Sequence, residues 1–551
     1  MFNLRMLFVF LPCLIFLLNS GMSGAAMSDG KADLVVLNGT IYTMDEKQPT
    51  AEMITVTDGR IAYVGDNSAF DSWIGKHSRI LDLDGKTLTP GWIESHAHIL
   101  ALGRAKMKLD LSRARSYEEL VREVEDRVRN TEPGEWIIGR GWHQSKWDSA
   151  PEPLVKGFQT HSALSRVSPN NPVFLTHASG HAGFANARAM AIAGVSGETR
   201  SEDGGEIIKD EAGNPTGIFT ENAQALIRRH IPSGSEKQNR RALELAIQES
   251  LANGLTSFRD AASDGDAIAL YHNFLKEGKL KIRLWVMIDG HDENLLEQWL
   301  ARGPEIGSGD HFLTIRAVKL FADGALGSRG AWLQEPYSDR PGHLGHATID
   351  MDRVYEVSRQ ALLNGFQACV HAIGDRTNRE VLDRFEKLFK AYPKAARDHR
   401  FRIEHAQHLS SADIPRFAEL GVIASMQAIH LSSDRPWAID RLGKARILEG
   451  AYVWQKLLQS GAVIANGTDA PVEPINPIKC FYASVTRRTL EGEPPGGFEP
   501  DQKMTRYQAL RSYTLDGAYA GFEEDLKGSI EVGKLADFTV FSQDLMKVDE
   551  D

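Results

Sequence analysis

Pro90-Gly-Trp-Ile-Glu-Ser-His96-Ala-His98 reads as a short apolar strand that ends in two histidines one residue apart. Alternate residues of a strand point to the same face, about 6.5–7 Å apart, so the two imidazoles can converge on one ion. Imidazole is a common ligand of zinc and similar metals. Chance His-x-His pairs are frequent, so the surroundings decide what this one means. From here onward, apolar strand-like runs alternate with helical stretches, the pattern of a parallel sheet. Candidate strands end at His98, Asp260, Asp289, Lys319, His371, His405, Gln427 and Asp469. Eight such strands predict an α/β fold, a closed (β/α)8 TIM barrel, whose active site lies at the C-terminal ends of the strands.

Helices are expected at Met351–Asn364, Asn378–Ala391 and Glu236–Ala252, the last leading into the second strand. Residues from about 103 to 235 then form a large insertion after strand one, with strands near Glu135–Trp142 and Val173–Thr176. Both ends of the chain are β-rich. Asp33-Leu-Val-Val-Leu-Asn-Gly-Thr-Ile-Tyr-Thr43 places two apolar runs around an Asn-Gly turn, and Ile54–Val64 repeats the pattern around Asp-Gly; both are hairpin signals. Gly528–Phe541 looks similar. The expected organisation is a leader at 1–26, a small β-sandwich domain built from 33–88 and 521–551, and a barrel over 89–520 that carries the insertion.

Four more residues stand at the proposed strand ends. Lys319 closes Ile315-Arg-Ala-Val-Lys, and His371 closes Cys369-Val-His. His405 lies in Arg402-Ile-Glu-His-Ala-Gln, and Asp469 in Asn466-Gly-Thr-Asp-Ala-Pro. Taken singly, each reads equally as a hydrogen-bonded core histidine, a salt-bridged lysine or a helix-capping aspartate. Their joint placement at the ends of strands shifts the balance towards chemistry.

With these residues in place, the chain resembles the amidohydrolase superfamily, in the branch called amidohydrolase family 3 or YtcJ-like. The matching motifs include Thr89-Pro-Gly-Trp-Ile-Glu-Ser-His-Ala-His98, Gly180-His-Ala-Gly-Phe-Ala-Asn186 and Val318-Lys-Leu-Phe-Ala-Asp-Gly-Ala-Leu-Gly-Ser328. Val370-His-Ala-Ile-Gly-Asp375, Arg402-Ile-Glu-His-Ala-Gln407 and Gly467-Thr-Asp-Ala-Pro-Val-Glu473 complete the set, which spans Asp33 to about Phe541. The resemblance implies two metal ions, zinc in most members. His96, His98 and Asp469 would hold one and His371 and His405 the other, with Lys319, carboxylated by CO2, as the bridge. A lysine ammonium has no lone pair, whereas its carbamate is an anion with two oxygens. An unmodified Lys319 beside a single metal is the competing reading. The implied reaction is cleavage of a non-peptide carbon–nitrogen bond in a small-molecule amide by a metal-activated hydroxide. Asp469 would shuttle the proton, and His181 would either donate to the substrate oxygen or hold its loop.

Several weaker candidates accompany these. Trp142, His143 and Trp147 could wall a pocket or pack a core. Asp323, Ser328, Arg329 and Asp375 follow the ligand strands and suit either orienting or loop-capping roles. A small-peptide or N-acyl-amino-acid hydrolase would need a cation for the substrate carboxylate, for which Arg259 and Arg329 are available. Ester or lactone hydrolysis, and a regulatory protein on a retained hydrolase fold, are further readings. In this family another β segment usually follows the stretch equivalent to Ala536–Phe541, so an exposed edge is expected there.

Composition narrows the partners. A net charge of −11 with no Lys/Arg block argues against nucleic acid and anionic membranes. The sequence is compatible with a homo-oligomer and does not determine one. Met1–Met6 carry one Arg and no acid, Leu7–Leu18 is almost wholly apolar, and small residues run from Ser20 to Ala26. That is the pattern of a cleaved signal peptide and a periplasmic or secreted protein; a retained anchor is the alternative, although the apolar run is short of the ~20 residues of a spanning helix. Leu11-Pro12 before Cys13 does not suit a lipoprotein signal. Cys369 and Cys480 then remain, too few for a disulfide framework and expected as buried apolar residues. The mature protein is expected to begin near Met27 and to fractionate with the periplasm or medium; N-terminal sequencing that finds Met1 on cytosolic protein contradicts this.

Overall fold

Eight parallel strands form the barrel in the computed structural model. They are β1 (Trp92–Ala97), β2 (Leu255–Ser263), β3 (Arg283–Asp289), β4 (Leu313–Phe321), β5 (Gln367–Ala372), β6 (Arg402–His405), β7 (Ile423–Met426) and β8 (Ile464–Asn466). Each pairs in parallel with its sequence neighbour along the path from β8 to β1. The described residues are 30–144, 147–178, 181–200, 205–232 and 234–550. The leader expected at 1–26 lies outside them. Among the described residues no helix is long and apolar enough to cross a membrane.

Closure from β8 back to β1 is made just past the strand ends. Asp469 N donates to His96 O and His98 N to Ala470 O, each at 2.8 Å. The buried Glu94 carboxylate fastens the same seam. It accepts from His96 N (3.0 Å), from Thr468 N (2.9 and 3.1 Å) and from Thr468 Oγ1 (2.8 Å). Burial pushes Glu94 up to about 8, against the pull of these donors. The approach is so close that a Cβ on Gly467 would fall 2.3 Å from Glu94 Oε1 and 2.7 Å from His96 N, so only glycine fits there.

Inside the barrel, Ala261, Trp285, Met287, Ala317 and Cys369 form an apolar layer. Both Cys369 and Cys480 are buried and free, as expected. Helices Gly265–Lys276, Glu293–Arg302, Met351–Leu363 and Asp375–Ala391 follow β2 to β5. Met351–Leu363 ends within a residue of expectation, and Asp375–Ala391 starts three residues earlier than the pattern suggested.

The chain divides into two compact units, one holding residues through Ile99 and from Ile247 onward, the other Leu100–Ala246. In the first unit, two four-stranded sheets accompany the barrel. One has the order Arg60–Gly65, Met53–Thr57, Leu34–Leu37, Arg79–Asp82; the other runs Phe538–Phe541, Thr87–Pro90, Thr40–Tyr42, Thr50–Ala51. Leu34, Val36, Ile41, Ile54, Val56, Leu88 and Ile530 share one core, which makes these sheets a small sandwich from both chain ends. The Asp58-Gly59 turn closes an antiparallel hairpin, as the sequence indicated. The Asn38-Gly39 turn does not. Leu34–Leu37 pairs with Met53–Thr57 and Arg79–Asp82, while Thr40–Tyr42 pairs in the other sheet. Asn38, at φ 62°, turns the chain from one sheet into the other. Within Gly528–Phe541 only Phe538–Phe541 is a strand, and it is an outer strand of its sheet.

The second unit has a six-stranded mixed sheet, in which Ile137–Trp142 and Val173–His177 are parallel neighbours. Leu175 and Trp142 face one apolar cluster and Phe174 faces another, the alternation expected of a sheet buried on both faces.

Thr468→Val keeps the shape of the β8–β1 seam but removes a buried donor to Glu94. It should destabilise the protein by about 1–3 kcal/mol, seen as a lower denaturant midpoint; an unchanged midpoint contradicts the role given to this seam.

Candidate metal centre

Side chains from five strand ends meet at the C-terminal mouth of the barrel. β1 supplies His96 and His98, β4 Lys319, β5 His371 and β6 His405, and Asp469 stands just past β8. Nε2 of His96 and of His98 lie 3.7 and 3.3 Å from Asp469 Oδ1. Ligand atoms of all three residues fall within 4.8 Å of one another. The imidazole chain continues through His405, whose ring centroid is 5.1 Å from that of His96 and 4.4 Å from that of His371.

Outer partners determine which nitrogen faces inward. His96 Nδ1 is 2.6 Å from Glu404 Oε2, and His98 Nδ1 is 3.0 Å from Ala261 O. Both partners are acceptors, so each Nδ1 carries the proton and each Nε2 keeps its lone pair. His405 Nδ1 is 2.6 Å from Gln427 Oε1, and the Gln427 amide is oriented by donating to Ser425 O at 3.2 Å. His371 Nε2 lies 3.3 Å from Asp323 Oδ1, out of line for a hydrogen bond. Asp323 itself accepts from Trp332 N, Ile373 N, Gly374 N and Thr377 Oγ1 at 2.7–3.0 Å. It therefore ties the loop after β4 to the loop after β5 and fixes the setting of His371.

Lys319 is fully buried, and its Nζ has no hydrogen-bond acceptor. The nearest group of note is the Phe321 ring, 4.7 Å away. Burial pushes its ammonium down to about 8, against the charges of Glu404 and Asp469. A bare buried ammonium without an acceptor is costly, so this position favours a neutral amine or a modified one. Asp469 behaves oppositely. Burial opposes its ionisation, but the adjacent His98 imidazole and the nearby His96, His405 and His430 hold it well below the usual carboxylate range. Lys319 Nζ, Asp469 Oδ1 and His371 Nε2 are all buried without hydrogen-bond partners. Four imidazoles, a carboxylate and an unpartnered amine form a donor set that fits divalent cations.

Two of the site residues have a strained backbone. His405 and Asp469 have φ of 78° and 58°, the left-handed region that non-glycine residues rarely occupy. At His405 the twist breaks strand alternation, so Glu404 and His405 both reach the interior. Glu404, which the sequence reading did not single out, is the buried hub. It takes His96 on one side and Arg402 Nε and Nη2 on the other, at 2.7 and 2.8 Å. Burial opposes its charge, yet Arg402, His96 and Lys319 hold it well below its ordinary value. Gln427 reads from the sequence only as a strand end, and His430 carries no signal of its own there. His430 Nε2 lies 3.9 Å from Asp469 Oδ2, and only the polar Gln427-Ala-Ile-His430 stretch after β7 could have signalled it.

Other candidates fall elsewhere. Arg259 is wholly buried, donates to Gly517 O and lies 5.0 Å over the Trp285 ring. Arg329 is paired with Asp339 at 3.1 and 2.8 Å. Arg259 is thus enclosed in the interior with Nε and Nη1 unpartnered, and the charge of Arg329 is offset by Asp339. Asp375 accepts from Gln334 N at 2.9 Å, and Ser328 donates to Ala325 O at 3.2 Å, both holding loops. In the second unit, Trp142 and Trp147 belong to the hydrophobic core rather than to a pocket wall, and the His143 ring lies 4.5 Å from that of His177. His181 is exposed, with Nδ1 3.0 Å from Glu221 Oε2.

Comparison with known proteins agrees with this geometry. A sequence model described as the amidohydrolase family matches residues 79–551. The amidohydrolase YtcJ of Bacillus subtilis is 33% identical, covering 93% of this chain and 94% of the relative. The N-substituted formamide deformylase of Arthrobacter pascens is 29% identical over 93% and 94% of the two chains. An uncharacterised metal-dependent hydrolase from Pyrococcus furiosus superposes with a TM-score of 0.76 at 29% identity, covering 93% of this chain and all of that one.

Glu404→Gln leaves Arg402 buried without its counter-charge. The expected cost is about 3–5 kcal/mol, measured by chemical unfolding of the metal-free protein; a variant as stable as the parent removes Glu404 from this role.

Proposed function

The chain belongs to the amidohydrolase family, and from that premise we propose that it hydrolyses carbon–nitrogen bonds of non-peptide amides. The observation that carries the reading is the buried Lys319 amine, without an acceptor, among four histidines and Asp469. His96, His98 and Asp469 are suited to hold one divalent cation, and His371 and His405 a second; zinc suits nitrogen-rich sites of this kind. Lys319 would bridge them as a carbamate, formed when its neutral amine adds to CO2 and releases a proton. Burial, which pushes the ammonium down, favours the neutral amine that this addition needs.

When bound, the cations supply a lowered pKa for the attacking water and polarise the scissile carbonyl. The rest falls to this chain's residues. Glu404, Ala261 O and Gln427 keep Nδ1 of three histidines protonated and their rings fixed. Asp469, ionised near neutral pH, takes the proton of the attacking water on a carboxylate oxygen and passes it to the leaving nitrogen. For His181 the loop-holding reading is the one supported, by Nδ1 lying 3.0 Å from Glu221 Oε2. The deformylase relative, by its name an enzyme of N-substituted formamides, supports acyl or formyl amines as the substrate class. Substrates that need a guanidinium for a carboxylate have less support, because Arg259 is wholly buried and Arg329 is paired with Asp339. Export is proposed from the apolar Leu7–Leu18 run and the small residues through Ala26.

Hydrolysis of N-acyl amines by the zinc-loaded protein, measured beside dipeptides, esters and lactones, tests the reaction class; turnover of esters alone contradicts it. Lys319→Ala should lose most bound metal and nearly all activity, with partial recovery on adding a short carboxylic acid. Asp469→Asn should lose about 10² to 10⁴ in kcat per bound metal and change the acidic limb of the pH–rate profile. Equal kcat per metal with unchanged limbs removes Asp469 from the mechanism.

A further inference from the structure

Beyond Asp469 the rim of the barrel carries a second polar cluster that the proposed reaction does not use. It comes from the stretch after β7 and the loop after β8. Asp434 is half-buried; its Oδ2 accepts from Gln407 Nε2 at 3.0 Å and from Tyr452 OH at 3.1 Å. Gln407 Nε2 is also 2.7 Å from Tyr452 Oη, which ties the three groups together. Glu473, also half-buried, accepts from Ser433 Oγ at 2.5 Å. Between these carboxylates and the metal centre stands His430. Its side chain is 10% exposed, its Nε2 has no hydrogen-bond partner, and that atom lies 3.9 Å from Asp469 Oδ2.

The charges of this rim are unbalanced. Among the described residues no lysine or arginine forms an ion pair with Asp434 or Glu473. The nearby guanidiniums are engaged elsewhere: Arg435 with Glu499 at 2.6 Å, and Arg441 with Asp339. Burial raises both carboxyls above their ordinary values, with His430 pulling the other way. Ser433 joins the two carboxylates, preceding Asp434 in the chain and donating to Glu473, and the same stretch carries His430 with its unpartnered Nε2.

We propose that Asp434 and Glu473 bind a positively charged nitrogen of the substrate, so that this site prefers amides carrying an ammonium group over neutral or anionic ones. His430 would be a positioning residue, hydrogen-bonding the polar part of the substrate that lies between the rim and Asp469. The proposal rests on the amide-hydrolase reading and narrows its substrate class.

The test uses three N-acyl amines of equal length that end in an ammonium, a neutral amide or a carboxylate. For the zinc-loaded protein, kcat/KM should favour the ammonium compound over the neutral one by at least about tenfold, about 1.4 kcal/mol, and disfavour the carboxylate. Because the readout is this ratio, any general loss of activity in a variant cancels. Asp434→Asn and Glu473→Gln should each lower the ratio, and together bring it near one. Calorimetric binding of the same three compounds separates the two ideas. Preferential, Glu473-dependent binding of the ammonium compound without turnover sinks the amide reading and keeps the cation site. Turnover or binding with no ammonium preference overturns the proposal, as does a third equivalent of bound zinc that disappears in Glu473→Gln.

Discussion

One carboxylate, Glu404, is shared across the interior of the barrel. From β6 it accepts two hydrogen bonds from Arg402 and holds His96 of β1 through Nδ1. Two charges buried this deeply are tolerable only when paired with good geometry and further hydrogen bonds. Arg402 meets that condition by also donating to Ser95 O and Ser425 Oγ, both at 2.7 Å. A single charged knot thereby links β1, β6 and β7. It also determines the tautomer of His96, so the same interaction that holds strands together leaves Nε2 free for a cation.

The neighbouring seam works in the same way. Glu94 gathers the backbone of His96 and Thr468 where β8 returns to β1, and Gly467 allows the close approach. Closing the barrel therefore brings Asp469 against His96 and His98. At that point the chain adopts a strained, left-handed residue. Strain at His405 and Asp469 is the local cost of turning both side chains toward one space. Lys319 completes the arrangement from β4, its amine denied any acceptor within the protein.

Much of this was legible in the sequence, because parallel barrel strands leave a repeating trace. Apolar runs ending in His98, Lys319, His371, His405 and Asp469 located the strand ends closely, and the barrel rule identified the working end. What escaped was information that periodicity does not hold. The Asn38-Gly39 turn has hairpin chemistry, but its flanking strands join different sheets, a choice made by distant partners. Glu404 sits out of phase with His405 until a positive φ brings both inward. Trp142 and Trp147 could be walls or core, and only packing distinguished them. Arg259 and Arg329 offered free charge in the sequence and prove engaged in the fold. Asp434 gave no sign and Glu473 showed only as the end of a motif, since what sets them apart is that no lysine or arginine among the described residues pairs with them.

The account turns on a binuclear centre in which Lys319 is a ligand rather than a buried ammonium. Anomalous diffraction from crystals of zinc-loaded protein, grown with bicarbonate, examines it directly. Two anomalous peaks are predicted, one among His96, His98 and Asp469 and one beside His371 and His405, with density extending from Lys319 Nζ to both. A single peak, peaks elsewhere, or a bare Lys319 side chain between two metals would contradict it.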